Sequence, residues 1–135
     1  MKKRIINSEI PILIEDIEKF EKDNDIIFPE NLKNLYLKYN GGEIEISDSN
    51  FYDFASLKYG EFRLEELLND LQIEENVIPE NFIPFATTGV AHIITIKFSD
   101  SIYNEIYLFR YDELNPKKIS NSLEEFLGVN SIEEL

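Results

Sequence analysis

The sequence predicts an α+β fold, with an antiparallel-dominated central sheet and helices packed mainly on one face. Three observations carry this. Two N-terminal segments repeat apolar residues at helical spacing. Residues 92–98 alternate at the strand period, and 106–111 run apolar on both faces. A leucine-spaced segment over 64–71 separates strand signals on either side, so helices and strands come in runs, without the strict alternation of a parallel α/β sheet.

Taken in order, Ser8 is the expected N-cap of a first helix, with Pro11 near its opening turn. Ile10, Leu13, Ile14, Ile17 and Phe20 form its apolar stripe, and Asp23-Asn24-Asp25 ends it. A second helix starts at Pro29, where the missing N–H is harmless. It presents Leu32, Leu35, Tyr36 and Tyr39, and closes at Asn40-Gly41-Gly42 with a glycine as left-handed cap. Ile44 and Ile46 then alternate with Glu43, Glu45 and Ser47 as a half-exposed strand, and a polar turn over 47–50 leads to a second strand over 51–57. Leu64, Leu67, Leu68 and Leu71 mark a third helix, with Glu65, Glu66, Asn69 and Asp70 facing outward. Pro79 and Pro84 bracket an extended connector into Phe85. The strands around 92–98 and 105–111 pair as a hairpin, and a central place in the sheet explains why the second is apolar on both sides. Ser122 with Glu125, or Asn121 with Glu124, offers a capping box for a last helix ending at Gly128.

A chain of 135 residues fits one domain, and its 43% hydrophobic share, with ten Phe and seven Tyr, fills a core without staples. With no Cys there are no disulfides, thiolate metal sites or cysteine nucleophiles. Met1 to Ile6 begins like a signal peptide, but Asn7, Ser8 and Glu9 interrupt the apolar run and no small-residue cleavage site follows. No stretch approaches the length of a membrane span, so a cytoplasmic protein with no membrane partner is expected. The net charge of −14 is unevenly spread. Residues 43–81 hold eleven carboxylates against only Lys58 and Arg63, a net of −9. Nucleic acid is excluded for want of a basic footprint. A basic protein is the natural complement.

Residue types for catalysis are scarce. His92, the one histidine, lies in phase with Ile94, Ile96 and Phe98 and reads as a strand-end residue. No Walker A loop, dinucleotide-binding glycine pattern or His-Glu-x-x-His pattern occurs. Asp48-Ser49-Asn50 opens like a calcium loop, but the sixth position is Asp53 where Gly is needed and the twelfth is Tyr59 where Glu is needed. Adjacent carboxylates such as Glu65-Glu66 and Glu74-Glu75 point about 100° apart on a helix and do not converge on one substrate. Gly41-Gly42 follows a helix, whereas a phosphate loop precedes one. No enzyme, no cofactor and no metal are therefore expected.

The ordered set Ile17, Phe20, Glu21; Phe28-Pro29; Leu32, Tyr36; Tyr39-Asn40-Gly41-Gly42; Ile83-Pro84-Phe85-Ala86; and Ile119-Ser120 with 122–127 resembles the SUKH superfamily over about residues 9–128. That group joins bacterial immunity proteins with fungal cell-wall regulators. The resemblance implies a non-enzymatic SUKH-like domain that neutralises a cognate toxin by direct contact. The alternative is a regulatory or scaffold domain acting on cellular partners. Residues 43–81 match only loosely, as expected of a region adapted to one partner. The oversupplied aromatics Tyr52, Phe54, Tyr59, Phe62 and Tyr103 lie beside acidic or turn residues, and Tyr anchors interfaces well. The expected partner-binding residues are Glu43, Glu45, Asp48, Tyr52, Asp53, Tyr59, Glu61, Glu65, Glu66 and Asp70. Tyr52 and Tyr59 amid Asp48, Asp53 and Glu61 form the preferred patch.

Overall fold

The computed structural model describes residues 2–90, 92–97, 104–110 and 115–135. Among these, seven strands form one sheet whose spatial order is the chain order, each strand antiparallel to its neighbours. They are β1 (Arg4–Ile6), β2 (Gly42–Ser47), β3 (Asn50–Phe54), β4 (Phe82–Thr87), β5 (Ile93–Lys97), β6 (Ile106–Phe109) and β7 (Lys117–Ser120). Helices α1 (Ile14–Asn24) and α2 (Glu30–Lys38) lie between β1 and β2 in sequence. Helix α3 (Leu64–Leu68), continued by a π-helical turn (Asn69–Glu74), precedes β4, and α4 (Leu123–Leu127) follows β7. The chain has the α+β, antiparallel architecture that its periodicities predict.

Several local expectations need correction. Helix α1 begins at Ile14, not after Ser8. Leu13 is its N-cap and Asp16 reaches back to the Leu13 N–H at 2.9 Å, while the Ser8 hydroxyl donates to the Gly41 carbonyl. Its stripe shrinks to Ile17 and Phe20, because Ile10 and Leu13 are exposed before the helix starts. Helix α2 ends on Tyr39 in an extended conformation, so no glycine caps it. Gly41 (φ 75°) and Gly42 (φ 115°) instead turn the chain into β2. A Cβ at Gly41 would lie 2.6 Å from the Ser56 Cβ, so a close approach as well as φ demands glycine there. The second strand stops at Phe54, and the leucine helix passes into the π-helical turn after Leu68.

The largest correction concerns Pro84. The expected connector is strand β4, between β3 and β5 in the sheet. A register shift between Pro84 and Ala86 lets a residue without an N–H sit in a central strand. Strands β1 and β7 are additions that the sequence pattern does not announce. The hairpin is as expected, with Ile93 opposite Phe109 and Ile96 opposite Ile106; Phe98, Tyr111 and the turn between the strands through Tyr103 lie outside the described residues. Of the two pairs expected at α4, Ser122 caps with Glu125, but the return bond lands one residue before the cap, so a full capping box does not close. The Ser122 hydroxyl accepts from the Glu125 N–H and the Glu125 carboxylate accepts from the Asn121 N–H.

Strand register divides the sheet into two faces. One carries Ile5, Ile44, Phe54, Ala86, Ile94, Ile96 and Ile106. These belong to the larger apolar cluster, with Ile17 and Phe20 of α1, Leu32, Leu35 and Tyr36 of α2, and Leu123, Phe126 and Leu127 of α4. The other face has a smaller cluster, Phe82, Ile93 and Phe109 under Leu71 and Ile78. Thus α1, α2 and α4 contribute to the first face, while the π-helical turn carries the chain onto the second over β4, β5 and β6.

Candidate partner-binding surface

The second face continues past its small cluster onto β1, β2 and β3, where its character changes. Side chains directly opposite one another in an antiparallel pair share a face. Arg4 is opposite Glu45 and Glu45 opposite Phe51; Ile6 is opposite Glu43 and Glu43 opposite Asp53. These six side chains therefore form a two-by-three array on the face that does not carry Ile5, Ile44 and Phe54. None of the six is fully buried, and neither Ile6 nor Phe51 belongs to either apolar cluster. Arg4 makes a two-pronged contact with Glu45 (3.2 and 2.7 Å), and the Asn7 amide donates to Glu43 at 2.8 Å.

Beside the array is a groove of about 530 Å³ lined by Asn7, Glu9, Gly42, Glu43, Asp53, Phe54, Ser56 and Phe62. Its far wall is the loop over residues 55–63, which is fixed from beneath. Asn40, buried to 2% exposure, accepts from the Leu57 N–H (2.7 Å) and donates to the carbonyls of Leu57 and Ile10 (2.9 Å each). The Ser56 hydroxyl donates to carbonyls of the same loop, at Tyr59 and Phe62. Lys58 and Gly60 take left-handed conformations within it. A loop tied down this way presents its side chains on a rigid base.

The ten expected binding residues do not share one surface. Glu43, Glu45 and Asp53 meet on the open face, and Asp48 is exposed in the β2–β3 turn next to them. Tyr52, adjacent to Asp53 in an extended strand, must face the other way. It is opposite buried Ile44 and packs half-buried against the larger cluster. Tyr59 also packs against that cluster, under the ammonium of Lys58 (5.3 Å from the ring centre). Glu61 is exposed on the loop. Glu65 is half-buried. Its Oε1 lies buried without a hydrogen-bond donor in the structure and its Oε2 accepts weakly from the Lys58 N–H at 3.4 Å. Glu66 pairs with Arg63, and Asp70 is exposed on the π-helical turn. Ile6, Phe51 and Glu9 were absent from the expected set. Extending the alternation of Ile44 and Ile46 across to β3 would have found Phe51, whereas Ile6 required knowledge of β1.

The perturbed groups are held by burial, backbone N–H groups and neighbouring charges. Burial, then the charge of Glu65, pushes the Tyr36 phenol well above its ordinary range, and its hydroxyl donates to the Ala55 carbonyl at 2.8 Å. The Leu13 N–H first, and Lys58 second, hold the Asp16 carboxyl below the usual carboxylate range. His92 lies next to the turn before β5, where its N–H is 3.2 Å from the Thr88 hydroxyl and its carbonyl accepts from the Thr88 N–H. Among the described residues no group of three or more His, Asp or Glu side chains is placed to hold a metal ion, and no helix is long and apolar enough to cross a membrane.

The chain is thus a small α+β domain whose antiparallel sheet has one face in the larger apolar cluster and a half-uncovered, acidic stretch on the other. The chain belongs to the SMI1 / KNR4 family (SUKH-1), whose family model matches residues 11–128. No curated protein matches it.

Proposed function

We propose that this protein is an immunity protein that binds a cognate bacterial toxin in the cytoplasm and neutralises it by direct contact, with no reaction of its own. The observation that supports this reading is a SUKH-1 family chain whose negative charge is concentrated in one stretch, with eleven carboxylates in residues 43–81. Such a field attracts a basic partner and can raise its association rate by roughly 10- to 1,000-fold at low ionic strength. A cationic toxin has the complementary surface. A regulatory role on a cellular partner is the competing reading within the same family.

Co-expression separates the two. The toxic domain of any toxin gene found beside the gene for this chain is expressed in a sensitive host with and without this chain. Restored growth, together with an equimolar complex on size exclusion, is the expected result. Undiminished toxicity in the presence of abundant folded protein would exclude neutralisation of that toxin and favour the regulatory reading.

A further inference from the structure

We infer that the open face of β1, β2 and β3 is the docking surface, and that its occupant is a basic protein whose cationic side chain enters the groove between Glu9, Glu43 and Asp53. This deepens the binding role proposed above and rests on it only for the partner's biological identity.

The face is unpartnered for a reason written in its residues. At its other end the same face carries Phe82, Ile93 and Phe109, and Leu71 and Ile78 cover them. Over β1–β3 four of the six corresponding positions are charged, so no helix of this chain could cover them without desolvating Glu43, Glu45 and Asp53. An outside partner bringing positive charge meets no such obstacle. Neighbouring strands lie about 4.8 Å apart and alternate residues about 7 Å apart, so the array spans about 10 by 7 Å. Phe51 and Ile6 sit at opposite corners of it, so a partner would meet carboxylates at the centre and an apolar contact at either end.

The groove selects the sign of its guest. Arg4 is already engaged by Glu45, and among the described residues no cation pairs with Glu9 or Asp53. Gly42 is among the lining residues, and a side chain there would run into the Ile6 carbonyl, so the close approach of β1 to β2 beside the groove requires glycine. Phe62 gives the wall an aromatic surface over which a guanidinium or ammonium stem can lie. A second copy of this chain presents the same acidic face and is repelled, and nucleic acid is repelled likewise.

The test uses the full chain, isotope-labelled, titrated with a nona-arginine peptide at low salt and followed by amide chemical shifts. Shifts concentrated in residues 6–9, 42–54 and 60–62 are expected. Glu43→Gln with Asp53→Asn should weaken binding by about five-fold or more, and Glu66→Gln with Asp70→Asn by less than about two-fold. Amide replacements keep the side-chain shape, and the wild-type shift map stands by itself should the first pair unfold. Shifts spread evenly over α1 and α3, equal weakening by both pairs, or a concentration-dependent dimer that buries Phe51 would each overturn the inference. The peptide reports on the surface with no toxin present. The expected map with no protection from the toxin would sink the immunity reading alone, whereas protection with shifts elsewhere would sink the surface alone.

Discussion

The second face of the sheet has two ends built on the same strands' logic and finished differently. Across β4, β5 and β6, Phe82, Ile93 and Phe109 are at most 7% exposed, and the Phe82 and Phe109 rings meet edge to face with centres 5.0 Å apart. Across β1, β2 and β3, the row Ile6, Glu43, Asp53 stays uncovered. The rows are continuous, since Asp53 is opposite Thr87 and Thr87 opposite Ile93. Thr87 marks the change. What decides covering is thus local. Apolar neighbours draw the segment after α3 over them, because burying each large side chain stabilises by about 1.5–3 kcal/mol. A carboxylate every second position forbids the same closure. One end is closed into the core and the other stays open to solvent.

The contrast can be broken most directly by matched truncations. Phe82→Ala removes a ring packed against Phe109 and Tyr107 and is expected to cost about 3–5 kcal/mol in urea unfolding. Phe51→Ala at the open end is expected to cost under about 1 kcal/mol, since that ring belongs to neither cluster. Similar losses at both positions would mean that the open end is part of the core.

Next in size is the support under the groove. Asn40→Ala leaves the buried Leu57 N–H and the Ile10 carbonyl without this partner, while the Leu57 carbonyl keeps the Tyr59 N–H, and is expected to cost about 1–3 kcal/mol. Amide exchange in residues 55–63 should rise more than in β5. A loss below about 1 kcal/mol would show that the loop holds itself in place without this side chain.

The fold was legible where one strong period governed a segment, and illegible where neighbours decided. Ile17 and Phe20, Leu32 to Tyr36, and the hairpin of β5 and β6 follow directly from spacing. Strand β7 does not, because Lys117, Lys118 and Ile119 are all exposed and no alternation marks them. They suit an edge, where lysines discourage pairing with another chain. Strand β1 has three residues, and only pairing with β2 makes it a strand. Pro84 argued against a strand until the shift in register beside it accommodated the missing donor. In the candidate site, the acidic composition of 43–81 drew attention to a stretch that includes Glu43, Glu45 and Asp53 of the open face. Composition has no direction, however, so Tyr52 and Asp53 were grouped although adjacent strand residues face opposite sides.

Acid offers a subtler probe of the first face. The native Asp16 carboxyl titrates below its ordinary range, chiefly through the Leu13 N–H and then Lys58. The folded state therefore favours the ionised form. Its contribution is present above the ordinary carboxylate pKa and is lost as pH falls through the lowered native value. Glu105 behaves alike, held down by Lys118 and then Tyr107. Urea midpoints of wild type and Asp16→Asn should differ at pH 7 and converge at low pH. A gap that persists unchanged into acid would assign the effect to helix geometry instead of charge.

The smallest effect is expected from reversing Glu66 and Asp70 together to Lys. Glu66 pairs only with Arg63 at an exposed site, and Asp70 is exposed on the π-helical turn. Exposed pairs contribute about 0–1 kcal/mol, so stability should change little. Glu65 is left out of this pair because its half-buried carboxylate approaches the Lys58 N–H, and a lysine there would disturb the loop itself. The reversal still changes net charge by four units, so it isolates the long-range field from the docking contacts. Association with a cationic partner should slow at low salt and recover as salt screens the field, with dissociation unaltered. Reversing Glu43 and Asp53 changes net charge equally, and should in addition speed dissociation. If the two reversals act identically on both rates, the partner senses only total charge, and the open face has no privileged part in holding it.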